Sequence, residues 1–469
     1  MDVVLKLATS SIRYFGFGGL ALGIVGNAVA YFLLIYYNQV LGVPAFMVSM
    51  ALALALVFDA ISDPLVGMLS DRTRTLWGRR HPYIYATIIP LPAMYFFLWN
   101  PPEWALASDL VTFSYLTALL ILFRTTLTCY DIPSNAMVPE LSSDYDERTR
   151  MMSARVSTAW VGGVAFTIAM YGYFLQPTEE FPNGVLNLDG YHSASWLGAG
   201  LILVSIAVSA LGTHRHVPVL SEARSMGAFG LREAIGTIKS IFVSSSFRTL
   251  LLFAIIYRST DGLFAALWIY LVTYFWLLDT TQIAFISVVN LFGATAAMMM
   301  TPTLSRNHSK RDVVIVANLG FIVTTCLPIT LRLMGLIPDE WVYRILLFVS
   351  FFDVFLVVVI VSLVASMIAD IVEDVQKQGG VRHEGAVVSA QTFINKLSIA
   401  SGTWMAGLIL TVIAFPENAV VGEVPEETVF ALGATYVVIL FTSILAGIAF
   451  LLQYRLDRKA HEDNVALVT

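Results

Sequence analysis

Charge is what this 469-residue chain has least of. Only 13% of its residues are Asp, Glu, Lys or Arg, against 57% hydrophobic, where a soluble protein carries about 25% charged residues. The deficit runs along the whole chain, with mean hydropathy +0.76. That excludes a soluble domain with a single anchor and leaves a polytopic membrane protein. Cysteine is nearly absent: Cys129 and Cys326 both lie in apolar runs, so they read as buried thiols and not as a disulfide. A glycine-rich nucleotide-binding loop is missing, which argues against an ATP-driven pump, and no local hydrolase motif points to an enzyme. His192, His383 and the remaining histidines lack metal-ligand spacing. The N-terminal "MDVVLKLATSSIRYFG" lacks a short apolar region followed by a small-residue cleavage site, so no cleaved signal peptide is expected. No cofactor and no nucleic-acid partner is expected.

What is present is a series of apolar runs. A hydrocarbon core of about 30 Å needs roughly 20 apolar residues per helix. Twelve segments qualify, at about 12–38, 43–70, 82–100, 106–135, 152–175, 194–213, 247–276, 281–303, 312–334, 341–372, 384–415 and 428–454. The longest polar stretch follows the sixth. It divides the chain into a bundle over 1–213, a connecting cytoplasmic loop over 214–246, a second bundle over 247–455 and a tail over 456–469. The expected fold is therefore an all-α membrane protein of twelve transmembrane helices in two six-helix bundles.

Loop charge tests that count, because Lys and Arg gather on the cytoplasmic side of short loops. Arg72, Arg74, Arg79 and Arg80 follow the second segment; Arg148, Arg150 and Arg155 follow the fourth; Arg306, Lys310 and Arg311 follow the eighth. Lys377 and Arg382 follow the tenth, and Arg455, Arg458 and Lys459 lie in the tail. With Lys6, Arg13 and Arg215, Arg224, Arg232, Lys239 and Arg248 of the central stretch, 22 of the 27 basic residues fall on one side. Only Arg332 and Arg344 fall on the other, while Arg124, Arg258 and Lys396 fall within the membrane. One missed helix would scramble this alternation. Both termini are expected in the cytoplasm and the chain in the plasma (inner) membrane.

An ionisable side chain inside a transmembrane helix costs several kcal/mol and is a functional-site hypothesis by default. In "DAISDP", Asp59, Ser62 and Asp63 share one face at i, i+3 and i+4. Pro64 follows and weakens the local helix bonding. Thr128 and Asp131 lie at i and i+3 of the fourth segment, and the eleventh carries Lys396 one turn after Thr392. Two close carboxylates resist ionising together, and a proton or a hard monovalent cation with oxygen ligands relieves them. A purely structural bridge, such as Asp59 with Lys396, is the plain alternative. Three carboxylates against one amine leave negative charge that this bridge does not balance. In the seventh segment, "YRSTDGLFAALW" sets Arg258, Asp261 and Trp268 close to one face. That face reads equally as a gate or substrate contact with a stacking Trp, or as an Arg reaching to the surface with Asp261 beside it. Asp353 in the tenth segment is similar but has no partner visible in the sequence.

Two six-helix halves resemble the major facilitator architecture, whose bundles rock about a midplane site. "GMLSDRTRTLWGRR", with Asp71 and Arg72, resembles that superfamily's loop signature after the second helix, and "TPTLSRNHSKRD" looks like a degenerate copy. More specifically, "DAISDP", "YDIPSNAMVPELSSDYDERTR…SAR" and "SMIADIVEDVQKQGGVRHEGAVVSAQTFINK" resemble the glycoside–pentoside–hexuronide:cation symporters, in order and over nearly the whole chain. The resemblance implies a cation site of Asp59, Ser62, Asp63, Thr128 and Asp131. Asp131 would also touch substrate, Arg155 would contact it, and Lys396 would lie beside the cation site. Asn27, Tyr31, Asn135 and Trp268 are further candidates for substrate binding, and Arg258, Asp261, Asp71, Arg72 and Lys396 for coupling or gating.

The sequence departs from the family's best-known permease at instructive places. Ser62 stands where it has Asn. The acidic residue of its first helix is Gly23 here, and the aromatic residue after its fourth-helix Asp is Asn135. Galactoside specificity does not follow; cation coupling does. Asn27, Tyr31 and Asn38 on the first helix offer polar contacts, although such Asn residues as often bond helix to helix. The resemblance implies Na⁺- or H⁺-coupled symport of a sugar or glycoside-type small molecule, with membrane lipids as the other partners. An amphipathic lysolipid-like substrate is the alternative, since animal relatives carry lysophospholipids, and a non-transporting receptor or scaffold is a third reading.

Overall fold

The computed structural model describes residues 9–142, 144–217, 245–379 and 384–453. Lys6, Arg224, Arg232, Lys239, Arg382, His383, Arg455, Arg458, Lys459, most of the 214–246 stretch and the 456–469 tail lie outside the described residues. So do the side chains of 369–390, Lys377 among them, and with them part of the third family motif.

Every element among the described residues is helical. The long helices are α1 (Thr9–Val40), α2 (Ala45–Arg72), α3 (His81–Trp99), α4 (Asp109–Leu141), α5 (Tyr145–Ala169) and α6 (Leu188–His214). They continue as α7 (Arg248–Phe275), α8 (Thr280–Asn307), α9 (Lys310–Leu333), α10 (Asp339–Gly379), α11 (Glu384–Val412) and α12 (Glu426–Leu451). Eleven of them are long and apolar enough to cross a membrane. The exception is α5, whose Asp146, Glu147, Arg148, Arg150 and paired Gly162 and Gly163 dilute its apolar content.

The helix starts differ from the expected ones where a capping side chain intervenes. Ser108 caps α4, its hydroxyl accepting from the Val111 amide at 3.4 Å, so the helix begins after 108 and not at 106. At α5 the difference is larger. Asp144 accepts from the Glu147 amide at 2.9 Å, and Glu147 in turn accepts from the Ser142 hydroxyl at 2.7 Å. The first of these bonds satisfies a free amide of the first turn and the second holds Glu147 in place, so α5 begins about two turns earlier than hydropathy alone places it. Arg148, Arg150 and Arg155 consequently lie on α5 rather than in the preceding loop, and Arg155 is only 2% exposed.

The chain forms two compact units. The first holds the described part of 9–217 with Asp279–Ala284 and Pro416–Ala419; the second holds the rest. In the first unit α1 packs on α5 and α2 on α4. Its core carries an aromatic cluster in which Trp99 and Tyr191 stack at 5.7 Å, and the Tyr36 hydroxyl donates to the Trp99 carbonyl at 2.7 Å. The second unit pairs α7 with α11 and α9 with α10, around a core that includes Phe253, Val314, Val359, Ile360 and Leu363.

Candidate functional site

The α2–α4 contact of the first unit brings the sequence-marked carboxylates together. Asp59 and Asp63 stand on successive turns of α2, and the Thr128 hydroxyl of α4 faces both. Thr128 Oγ1 lies 2.8 Å from Asp59 Oδ1 and 3.1 Å from Asp63 Oδ1. A hydroxyl has one proton to donate, so it bonds fully to one carboxylate at a time. Asp59 and Thr128 are each 3% exposed, and Asp63 is half-buried. Ser62, also buried, donates its hydroxyl to the Asp59 backbone carbonyl at 3.1 Å, which leaves its oxygen with acceptor capacity only.

Arg124, one turn before Thr128, approaches Asp59 Oδ2 at 4.0 Å, close enough for Coulombic attraction but too far for a hydrogen bond. The sequence reading had placed Arg124 only as a membrane charge. Its spacing to Thr128 and Asp131, at i+4 and i+7, was the available signal that all three share one face.

Asp131 sits in a second set. Its Oδ1 accepts from Arg155 Nη2 at 2.7 Å and from Asn135 Nδ2 at 3.0 Å. Arg155 also donates to Ser134, and its guanidinium carbon lies 5.1 Å from the Phe15 ring centroid and 5.4 Å from that of Tyr130. The Arg155 side chain is thus enclosed while Asp131 keeps 35% exposure. Asn135 Oδ1 is buried without a hydrogen-bond partner.

Gly23 explains the missing first-helix carboxylate. A Cβ at this position would lie 1.8 Å from the Ala159 carbonyl oxygen of α5. The two backbones meet there, and Gly19 makes the same close approach to Arg155 one turn earlier, a small-residue seam typical of membrane helices. Asn27 of α1 donates to the Thr167 hydroxyl of α5 at 3.1 Å, the helix-to-helix reading, and Asn38 donates to the Val43 carbonyl at 2.8 Å. Tyr31 is half-buried on the same helix. Asp71 pairs with Arg80 at 2.5 Å, and Arg79 and Arg80 both reach Glu140 at 2.8 Å. Arg72 is exposed beside them at the end of α2.

In the second unit Arg258 and Asp261 form the expected pair at 3.3 Å, their side chains 30% and 42% exposed. Trp268 stacks on Phe264 with centroids 5.6 Å apart and lines a cavity with Asp353, so it belongs to a different cluster from the ion pair. Lys396 and Thr392 lie one turn apart on α11, the lysine half-buried.

A chain whose described elements are all helical, with Asp59 buried in its second helix against Thr128 of its fourth, is an integral, multi-pass membrane protein of the major facilitator fold. Its likeness to the inward-open structure of the xylose transporter XylE from E. coli has a TM-score of 0.65, over 97% of this chain and 98% of that one. At 14% identity that likeness is one of fold. The family is given by sequence: the chain belongs to the MFS/sugar transport protein family, whose model matches residues 14–458. An uncharacterized symporter of Synechocystis sp., sll1374, is 34% identical over 169 residues, which are 35% of this chain and 31% of that protein. The sodium-dependent lysophosphatidylcholine symporter 1 of Xenopus tropicalis is 29% identical over 163 residues, 34% of this chain and 30% of that protein. These aligned stretches span less than a third of either relative's length.

Proposed function

We propose that the chain is a secondary active transporter that couples a monovalent cation, Na⁺ or H⁺, to symport of a sugar or glycoside-type small molecule. The observation that carries this reading is the convergence of Asp59, Asp63 and the Thr128 hydroxyl. Two anionic oxygens and a neutral one within a single hydroxyl's reach suit a proton or a hard cation with oxygen ligands, and Ser62 adds an acceptor oxygen nearby. The family's symporter relatives support cation coupling; the choice of ion follows from neither them nor the site.

In this reading Asp131 joins the two ligands. Its half-buried carboxylate faces the substrate, with Asn135 beside it, and Arg155 acts by holding Asp131 rather than by direct contact. Lys396 is proposed beside the cation site, and Asn27, Tyr31 and Trp268 along the substrate path. The Arg258–Asp261 pair and the Asp71, Arg72 end of α2 are proposed as gating elements. The cation lowers the negative charge around Asp59 and Asp63 and so favours substrate, and by linkage substrate tightens the cation. Alternating access of bundles 1–213 and 247–455, joined by 214–246, then carries both across the plasma (inner) membrane, with both termini cytoplasmic.

A lysolipid-like substrate is the second reading, favoured by Gly23, which leaves no room for the first-helix carboxylate, and by the kinship with the lysophosphatidylcholine symporter. Uptake of radiolabelled sugars and lysolipids into proteoliposomes under a Na⁺ or pH gradient tests both. Concentrative uptake of a sugar is the expected result, and of a lysolipid alone the second. Counterflow separates a carrier from a receptor or scaffold, which would bind without exchange.

A further inference from the structure

The second unit holds a carboxylate that the cation site does not use. Asp353 of α10 accepts two hydroxyl bonds on one oxygen, Oδ1, from Thr325 at 3.0 Å and from the adjacent Thr324 of α9. Among the described residues no bond reaches its Oδ2 and no basic side chain pairs with it. The basic residues of α9 and α10 that come closest along the chain, Arg332 and Arg344, are engaged by Asp339 and by the Trp341 ring. Arg258 of α7 lies ten residues before Trp268, about 15 Å along the helix, and α12 carries no basic residue. The titratable groups that face Asp353 are Cys326 of α9 and Tyr436 of α12, and neither supplies positive charge. From α7 only apolar and indole side chains reach it, and α8 meets α10 where Gly293 lies against the Phe351 backbone. Beside Asp353 is a cavity of about 20 Å³, with Trp268, Trp276 and Leu346 among its apolar walls and Tyr436 and Ser350 at its polar side. That volume holds one water molecule. Tyr436 is 2% exposed and its hydroxyl is buried without a partner. Ser350 donates to the Leu347 carbonyl at 3.2 Å, which leaves its oxygen free to accept.

We infer that Asp353 is an exchangeable proton site, separate from the α2–α4 cluster, and that a single water in this cavity hands the proton to it. A hydronium proton forms an O–H bond with Oδ2 and leaves water behind, so the carboxylate passes from one negative charge to none. The new O–H donates to the cavity water, which donates in turn to the Tyr436 and Ser350 oxygens, the three partners usual for a buried water. When the proton leaves, the water turns: it donates to Oδ2 and accepts from the Tyr436 phenol. A phenol both donates and accepts, so the one side chain serves both states. Thr324 and Thr325 hold Oδ1 throughout and keep Oδ2 turned to the water, which makes them positioning residues. A hard cation also neutralises a carboxylate, but it needs a shell of oxygen ligands, and most of this wall is apolar. The site does not depend on which substrate is carried. Its consequence for transport is that pH acts at two places, so stimulation by acid does not by itself identify the coupling ion.

The test is infrared difference spectroscopy of the purified full-length protein between alkaline and mildly acidic pH, read at the carboxylic-acid C=O stretch in H₂O and D₂O. A band should appear on acidification that survives in the Asp59→Asn, Asp63→Asn double variant, resists saturating Na⁺ there, and is lost when Asp353→Asn is added. Thr325→Val removes a donor to the ionised form and should move the band's titration midpoint to higher pH by about one unit. Tyr436→Phe removes only the hydroxyl and should shift the band itself, because the water that bonds the acid loses a partner. Should Asp353→Asn fail to fold, the Thr325→Val and Tyr436→Phe shifts decide. A spectrum unchanged by Asp353→Asn, or a band that these two variants leave in place, overturns the assignment to Asp353. A band that does not titrate overturns exchange, and a band that Na⁺ removes in the double variant makes the site one for a metal cation and not for a proton.

Discussion

α2 and α8 are the same helix twice in outline and opposites in chemistry. Each spans 28 residues and follows a helix ending in a π-helical turn, Tyr36–Val40 before α2 and Leu271–Phe275 before α8. The exits repeat bond for bond: Leu41 N to Tyr36 O at 3.0 Å and Val43 N to Tyr37 O at 2.9 Å, against Trp276 N to Leu271 O at 2.8 Å and Leu278 N to Val272 O at 2.9 Å. Even the left-handed residue recurs, as Gly42 with φ 73° and Leu277 with φ 53°. Counted from the helix starts, however, Asp59, Ser62 and Asp63 correspond to Ala294, Ala297 and Met298. The repeated backbone is scaffold; the carboxylates are an addition to one copy. A structural requirement of the helix would have appeared in both.

The comparison breaks first at function. Asp59→Asn and Asp63→Asn should each reduce gradient-driven accumulation to that of empty vesicles while leaving counterflow measurable, whereas Ala297→Ser in α8 should leave accumulation within about twofold. Wild-type accumulation in both Asn variants would remove the cation site from α2.

Stability gives the next effect. Asp131→Asn strips the charge partner from the buried Arg155; because Asp131 itself is 35% exposed and screened by water, the cost should be at most about 3 kcal/mol, the low end for a buried pair. Chemical denaturation should register it, and affinity for both cation and substrate should fall as well. An unchanged midpoint with unchanged affinities would make Asp131 dispensable. Placing a carboxylate on the other copy, Ala294→Asp, should cost about 2.5–3.5 kcal/mol and confer no new cation binding, since the α10 position that matches Thr128, counted from the helix starts, is Val358.

Gly23→Asp restores the family's acidic residue yet should destabilise by about 1–3 kcal/mol through overpacking against α5, without improving sugar affinity. The smallest effect belongs to the turn. Leu277 occupies a left-handed conformation and is 52% exposed, so Leu277→Gly should stabilise by up to about 1 kcal/mol. The reciprocal Gly42→Ala should destabilise by at least as much, because its Cβ would also meet the Asn418 side chain at 2.4 Å, which must then move. If both changes are silent in thermal unfolding, the two exits are less alike in energy than in shape.

Much of this was legible in the sequence because membrane helices leave few places for charge. Asp59, Asp63, Thr128 and Asp131 stood out by helical spacing inside apolar runs, and the structure brings them to one helix pair in two adjoining sets. Arg155 was read as a loop charge because hydropathy ignores caps: Asp144 and Glu147 extend α5 outward and turn that arginine into a buried partner of Asp131. The reason for Gly23 was not legible, since the approach of α1 to α5 is a property of two backbones. Asp353 was visible as an isolated carboxylate, but Thr324, Thr325 and Tyr436 come from two other helices, and the periodicity of one segment says nothing of its neighbours.

The most direct measurement is a Na⁺ titration of the purified full-length protein at several pH values, with proton uptake read in the same weakly buffered sample. The expected result is saturable Na⁺ binding in competition with protons, or saturable proton uptake alone, in the wild type. Either signal, beyond the one proton taken up by Asp353, should be lost in Asp59→Asn and Asp63→Asn and weakened in Thr128→Val. Titrations of the three variants that superimpose on the wild type would contradict a cation site at the α2–α4 contact.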